Sequence, residues 1–341
     1  MTHNEKTSHN QMHRFCIAPM MDWTDRHCRA FHRVLSRRAL LYTEMATADA
    51  VAHGDRVRLI GFGGHEHPVA LQLGGSEPGK LALAATIGAQ MGYDEINLNV
   101  GCPSDRVQAG RFGACLMREP RLVASLWQAM QEAAGDIPVT LKCRLGVDEQ
   151  SLEEGLFELV DKAAAAGCRI FIVHARKAWL QGLSPKENRE TPPLDYACVR
   201  ALKRARPELT IVLNGGLRDL DHAIVEGGGL DGVMLGRAAY KHPALLLNVD
   251  SSMFGEADPC VDVHDAIEKF IPYMEHQMAM GAPLKAMTRH LLGAFNGRPG
   301  GRSWRRMLSQ AAPGAGVEIV STALAAVSRG TIGIREMVRA D

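Results

Sequence analysis

The sequence predicts a (β/α)8 barrel followed by a small all-α C-terminal domain. Eight short apolar runs, with helical periodicity between most of them, extend over roughly 230 residues, which is typical of such a barrel. After about residue 245 the apolar runs stop and only helical periodicity continues, which predicts the second domain.

The eight apolar runs are near-continuous rather than alternating, as expected for strands that are covered on both faces. They occupy residues 15–19, 40–45, 68–73, 95–100, 139–144, 169–175, 210–216 and 231–237. A doubly wound open sheet also alternates strands and helices, but no glycine-rich nucleotide-binding motif follows the first strand. The sequence therefore favours the barrel.

Helices between the strands are predicted most clearly at 78–91, 119–134 and 151–166. Pro78 stands where a first-turn proline is tolerated, and Gly135 and Gly167 follow the periodic segments as stop signals. In the C-terminal region, helices are predicted at 263–278, 282–295 and 317–327. We expect a flexible tail at 1–13, a catalytic barrel at 14–250, a linker near 250–259 and a helical domain at 251–341.

The charge is divided along the same boundary. Residues 285–341 contain nine Lys and Arg against three acidic residues, a net charge of +6, which leaves −5 for the remainder of a chain whose total is +1. A basic helical appendage on an acidic barrel suggests a polyanionic partner. A solvated helical face is the alternative, and charge alone does not decide between them.

Composition narrows the compartment and the chemistry. The eight cysteines form no C-x-x-C pair and no cysteine–histidine pattern of the zinc-site kind. A reduced, cytoplasmic protein without a structural metal is therefore expected. No apolar run reaches about 18 residues, and the first 13 residues lack the apolar core of a signal peptide, so no membrane span or secretion is expected.

Polar residues stand where the predicted strands end, which is where a barrel of this kind carries its chemistry. They are Gln72, Asn97, Asn99, Cys102, Lys142, Arg144, His174, Arg176, Asn214 and Arg237. Gly215, Gly216 and Gly236 follow the last two strands, at the usual phosphate site of the fold, where bare backbone lets N–H groups approach phosphate oxygens. A phosphate at one side with a lysine and amides across the barrel suits FMN.

Eight segments resemble the tRNA-dihydrouridine synthases: 18–29, 40–45, 70–75, 95–107, 141–146, 173–190, 213–217 and 233–240. The N-L-N-x-G-C-P core within 95–107 is highly specific for this family. The segments 21–29 and 297–306 are similar to its A branch, which acts on U20 and U20a. The family consists of FMN enzymes that use NADPH to reduce the C5–C6 double bond of uridines in the tRNA D-loop.

The resemblance implies roles for particular residues. Flavin contacts would come from Pro19, Met20, Met21, Gln72, Lys142 and His174, and the phosphate end would be held by Asn214, Gly215, Gly216, Gly236 and Arg237. Asn99 would face the uridine, and Lys186, Arg189, Arg302 and Arg305 would contact tRNA. Cys102 would be the proton donor to C5 after hydride transfer from flavin N5 to C6, since a thiol with an unperturbed pKa of about 8.5 is mostly protonated near neutral pH.

The residues leave other functions open. A flavin-dependent reductase or dehydrogenase of a free pyrimidine would share the barrel, FMN and the cysteine, but would not need a basic C-terminal domain. A non-redox lyase could use Lys142 as a Schiff base and would bind no flavin. An RNA-binding module without catalysis is a further alternative, against which the intact Cys102 argues. We expect a monomer.

Overall fold

The computed structural model describes residues 11–329 and contains a closed barrel of eight parallel strands. These eight are β1 Phe15–Ile17, β2 Leu40–Tyr42, β4 Val69–Gly74, β5 Glu95–Val100, β6 Val139–Arg144, β7 Ile170–His174, β8 Thr210–Asn214 and β9 Gly232–Leu235, and a ninth short strand, β3 Ala46–Thr47, belongs to the same sheet. β1 pairs with β9 and β2 pairs with β4, which closes the barrel. All eight predicted strands and the fold class are confirmed.

The short strand β3 was not predicted. It pairs with the end of β4 at Leu73 and Gly74, where the predicted second strand, 40–45, has already ended at Tyr42. β3 therefore extends the sheet beyond β2 toward the carboxyl ends of the strands, the rim that we call the mouth of the barrel.

The helices of the barrel are α1 Arg26–Leu35, α2 Ala48–His53, α3 Arg56–Ile60, α4 Pro78–Gln90, α5 Asp105–Ala109, α6 Pro120–Ala134, α7 Glu158–Ala165, α8 Tyr196–Ala205, α9 Leu220–Glu226 and α10 Arg237–Lys241. Pro78 stands in the first turn of α4, as the sequence predicts, and Pro120 stands in the first turn of α6. The helix predicted at 151–166 begins with a π-helical turn, Glu153–Phe157, before α7.

The barrel has two kinds of buried surface. A large apolar layer lies between the strands and the helices, and a smaller apolar group fills part of the interior, including Leu40, Ile170 and Val212. β5 alternates: Ile96 and Leu98 belong to the outer apolar layer, whereas its polar residues contact groups on the neighbouring strands inside the barrel. The expectation of a near-continuous apolar run was therefore wrong for this strand.

The amino end of the barrel is closed by a residue that the sequence assigned to a loose tail. His13 is completely buried, and its Nε2 lies 2.5 Å from Glu95 Oε2 at the start of β5. The expected tail therefore cannot include His13, because this ring satisfies a buried carboxylate. Residues 1–10 lie outside the described residues.

The C-terminal region is helical, with α11 Val263–Ala279, α12 Leu284–Thr288, α13 Gly301–Ser309 and α14 Glu318–Ala325. The helix predicted at 282–295 is short and continues as turns, and residues 330–341 of the expected domain lie outside the described residues. Trp304 of α13 is fully buried and donates from Nε1 to the Leu291 carbonyl, which ties α13 to the turns after α12.

The segment predicted as a linker is anchored to the barrel. Asp250 is 1% exposed and accepts hydrogen bonds from Ser36 Oγ and from the backbone N–H groups of Arg37 and Arg38. Because these donors lie just beyond the end of α1, the chain leaves the barrel in a fixed direction. Within residues 11–329 we find no helix with the length and apolar character needed to cross a membrane.

Candidate active site at the mouth of the barrel

Cys102 lies in a short loop that begins where β5 ends. Asn99 Oδ1 accepts hydrogen bonds from the backbone N–H groups of Gly101 at 3.1 Å and Cys102 at 2.9 Å. Arg144, at the end of β6, donates from Nε to the Gly101 carbonyl at 2.9 Å. The thiol is half-buried and lies 3.6 Å from Ser104 Oγ. The loop is therefore held from both sides, with its thiol at the mouth.

Three cations lie within electrostatic reach of this thiol. Burial lowers the pKa of Lys142 to about 8 and that of Arg144 to about 10, with the charge of Arg144 adding to the effect on Lys142. Burial also lowers the pKa of Arg189. The electrostatic interaction with Cys102 raises the pKa of each of these three side chains, against the effect of burial.

Lys142 is oriented across the barrel. Its Nζ donates to Asn214 Oδ1 at 3.0 Å, and Asn214 Nδ2 donates to the Met234 carbonyl at 2.8 Å. Because the Met234 carbonyl can only accept a hydrogen bond, it faces Asn214 Nδ2, and Asn214 Oδ1 therefore faces the lysine. The mouth therefore presents an ammonium group that is held by one amide.

His174, at the end of β7, is packed against bare backbone. Burial, followed by the charges of Arg144 and Lys142, holds the pKa of His174 well below its ordinary value, so the ring is neutral near pH 7. Gly215 has φ +108°, and a Cβ there would lie 2.5 Å from His174 Cδ2. A glycine is therefore required for the imidazole to occupy this position.

The glycines after β8 and β9 present bare backbone that packs closely against neighbouring side chains, and two arginines lie near this backbone. A Cβ on Gly216 would lie 2.4 Å from Leu194 Cδ1, and one on Gly236 would lie 3.4 Å from Met20 Sδ. Arg237 pairs with Glu190 at 2.5 Å, and Arg176 has a buried Nε with no hydrogen-bond partner among the described residues. An unpartnered guanidinium nitrogen beside bare backbone is what an absent anionic ligand would leave.

The loop after β1 supplies the last predicted mouth residues, 19–21. Ala18 N donates to the Leu235 carbonyl, and Met20 N and O both bond to Thr24 Oγ1, so the loop is fixed next to β9. Met21 is 58% exposed.

The structure does not bring every predicted residue to the mouth. Lys186 is exposed in the loop after β7, whereas Arg189 of the same loop lies near Cys102 and Arg237. Arg302 and Arg305 lie on α13, where Arg302 is exposed and Arg305 donates to Asn296 Oδ1 at 2.6 Å. These two arginines belong to a separate surface.

Several residues at or below the mouth were not chosen from the sequence. The sequence places Arg144 and Arg176 at strand ends but predicts no role for them, and it predicts no role for Glu95 or Thr140. The alternation of polar and apolar residues in 95–100 was the available signal, since every second residue of a barrel strand faces the interior.

A family model and named relatives match this chain over nearly its whole length. A family model described as dihydrouridine synthase (Dus) matches residues 16–328. The tRNA-dihydrouridine(20/20a) synthase of Yersinia pestis is 56% identical over 320 residues, 93% of this chain and 92% of that protein. The protein of the same name from Vibrio vulnificus (strain CMCP6) is 53% identical over 317 residues, 92% of this chain and 97% of that protein.

Solved structures support the fold at much lower identity. Morphinone reductase superposes with a TM-score of 0.50 at 13% identity, covering 72% of this chain and 86% of its own. The old yellow enzyme homologue of Zymomonas mobilis superposes with a TM-score of 0.50 at 11% identity, covering 69% and 87%. These two likenesses concern the architecture alone.

The ammonium of Lys142 should titrate near pH 8, against about 10.4 for exposed lysines. Because the folded pKa is below the unfolded value, the unfolded chain binds more protons between these values, and Lys142 favours folding increasingly as the pH rises through that interval. Lysine 13Cε NMR shifts followed against pH, with Lys142→Arg to assign the signal, measure the midpoint. A midpoint near that of exposed Lys186 would contradict the buried environment.

Proposed function

The chain belongs to the dihydrouridine synthase family, and from this premise we propose that it reduces uridines 20 and 20a in the D-loop of tRNA to 5,6-dihydrouridine, with FMN as cofactor and NADPH as reductant. The observation that carries the proposal is the Cys102 thiol held at the mouth, inside the segment that the family model matches. Relatives named for these two positions cover nearly the whole chain at 53–56% identity.

The mouth fits FMN. The bare backbone of Gly215, Gly216 and Gly236 would present N–H groups to the phosphate, with Arg237 and the unpartnered Arg176 Nε as its cationic partners. Lys142, Gln72 and His174 would contact the ring system, Asn214 would hold Lys142, and Pro19, Met20 and Met21 would lie against the cofactor from β1. The chemistry that bound FMN would supply is hydride transfer, from NADPH to C6 of the uracil ring.

Cys102 supplies the proton. Hydride addition at C6 leaves negative charge on the C4–C5 side of the uracil, and a thiol at that side can protonate C5. Asn99 can present its second Nδ2 hydrogen to the base, because its Oδ1 is occupied by the Gly101 and Cys102 N–H groups. The sulfur that gives up the proton lies within electrostatic reach of Lys142, Arg144 and Arg189.

The target base must leave its stack to enter the mouth, because a stacked base keeps its C5–C6 bond out of reach. Arg189 beside the mouth, Lys186 in the same loop, and Arg302 and Arg305 on α13 would bind the tRNA backbone. In this proposal residues 14–250 form the catalytic domain and residues 251–341 the tRNA-binding domain. The tRNA would then be held by both domains, by Lys186 and Arg189 of the barrel and by Arg302 and Arg305 of the helical domain.

Replacing Cys102 with alanine should abolish most dihydrouridine formation and leave flavin reduction by NADPH unchanged, because only the proton donor is removed. A fall of at least about 100-fold in single-turnover product is expected for loss of a general acid. Mass spectrometry of nucleosides from an unmodified tRNA transcript measures the product. The control is Cys115→Ala, a half-buried thiol that bonds to the Phe112 carbonyl. Full activity of Cys102→Ala would remove the acid assignment.

The double variant Arg302→Ala and Arg305→Ala should bind tRNA more weakly and with a flatter salt dependence. Each lost phosphate contact lowers the slope of log K against log salt by roughly one. Filter binding at several salt concentrations measures both quantities. The control replaces Arg121 and Arg204, which are exposed on α6 and α8 outside the barrel. Unchanged affinity and slope, with an unchanged melting temperature, would assign α13 to a solvated surface.

A further inference from the structure

A chain of hydrogen bonds runs through the barrel interior from its floor to the Cys102 loop. Starting at the floor, Thr140 Oγ1 donates to Glu95 Oε1 at 2.6 Å, and Asn97 Nδ2 donates to Thr140 Oγ1 at 2.8 Å. Gln72 Nε2 donates to Asn97 Oδ1 at 2.8 Å, and Asn99 Nδ2 donates to Gln72 Oε1 at 2.9 Å. We call these five side chains, Glu95, Thr140, Asn97, Gln72 and Asn99, the relay.

The relay continues directly into the backbone of the loop. Asn99 Oδ1 accepts from the N–H groups of Gly101 and Cys102. Glu95 and Asn99 are four residues apart on β5, about 13 Å at the usual rise of a strand. The relay therefore links the amino end of the strand to the mouth.

The groups at the two ends of the relay determine which atom donates and which accepts in each of its hydrogen bonds. At the floor, the Glu95 carboxylate accepts from Tyr42 Oη at 2.5 Å, from Thr140 and from His13 Nε2. At the mouth, the backbone N–H groups can only donate. Since the first group only accepts and the last only donates, each amide between them has one orientation that satisfies all its neighbours.

Four of the five relay side chains are shielded from water, so water cannot replace their hydrogen-bond partners. Glu95, Asn97 and Thr140 are 0% exposed, and Gln72 is 1% exposed. A reversed Asn99 amide would turn its Nδ2 hydrogens toward the N–H groups of Gly101 and Cys102, and the loop would have to move to separate these donors.

We propose that Glu95 and Thr140 are positioning residues, which fix the Cys102 loop and the amide of Asn99 through this relay. The inference rests on the proposed function for its catalytic consequence, since Cys102 is the proposed acid and Asn99 the proposed contact to the base. Neither Glu95 nor Thr140 touches the reacting atoms. They act through the hydrogen-bond direction that they impose.

Thr140→Val is the sharpest test, because it keeps the shape of the side chain and removes the hydroxyl that both donates to Glu95 and accepts from Asn97. Single-turnover dihydrouridine formation should fall at least ten-fold, since small displacements of a reacting group have large effects on rate. Flavin reduction by NADPH and tRNA affinity should stay within two-fold. Thr140→Ser, which restores the hydroxyl, should recover the rate to within three-fold of the wild type.

A second measurement is independent of catalysis. The rate at which iodoacetamide alkylates Cys102, followed by mass spectrometry of its peptide, should rise several-fold in Thr140→Val and not in Thr140→Ser. Alkylation of Cys115 in the same samples should be unchanged. Ile170→Val, which removes one methyl group from the apolar part of the interior, is the control for general loosening and should leave the alkylation rate of Cys102 unchanged.

The outcomes separate the two proposals. If the wild type makes no dihydrouridine in tRNA, the proposed function fails, while alkylation still decides whether the relay holds the loop. Wild-type alkylation of Cys102 in Thr140→Val, or an equal rise in Ile170→Val, would overturn the relay. Should Thr140→Val fail to fold, Asn97→Ala breaks the relay at its next link and carries the same test.

Discussion

A buried carboxylate organises this barrel. Glu95 has no exposed surface, and the folded chain must surround it with donors because an unpartnered charge in the interior is very unfavourable. His13, Tyr42 and Thr140 supply them from three different segments of the chain. His13, two residues before β1, is therefore held at one point with β2 and β6, and this point determines the orientation of the polar groups above it.

This constraint explains why the two ends of the barrel differ. The floor is closed by the hydrogen-bonded pair of His13 and Glu95, whereas the mouth keeps groups whose hydrogen-bonding capacity is incomplete. Arg176 has a buried nitrogen without a partner among the described residues, and Gly215 and Gly216 after β8 present bare backbone, because a Cβ there would meet His174 and Leu194. Groups that are fully paired stabilise a fold, and groups left partly unpaired are available to a ligand.

The sequence was sufficient for the architecture because the strands are apolar and the helices periodic, and both signals are local. It could not reveal the contacts between distant segments. His13 appeared to belong to a polar tail, and Asp250 to a linker, because nothing near them in the chain shows the carboxylate or the N–H groups that they meet. The mouth residues were predictable as strand ends. The relay was not, because it depends on the register of β4, β5 and β6.

The central claim is that the mouth transfers a hydride and a proton to uridine within tRNA. Anaerobic mixing of the NADPH-reduced flavoprotein with unmodified tRNA, followed by the visible absorption of oxidised flavin, tests it most directly. We predict that tRNA with uridines at positions 20 and 20a reoxidises the flavin. The same tRNA with cytidines there, and free uridine, should leave it reduced. Reoxidation by free uridine as fast as by tRNA, or none by either, would contradict the account.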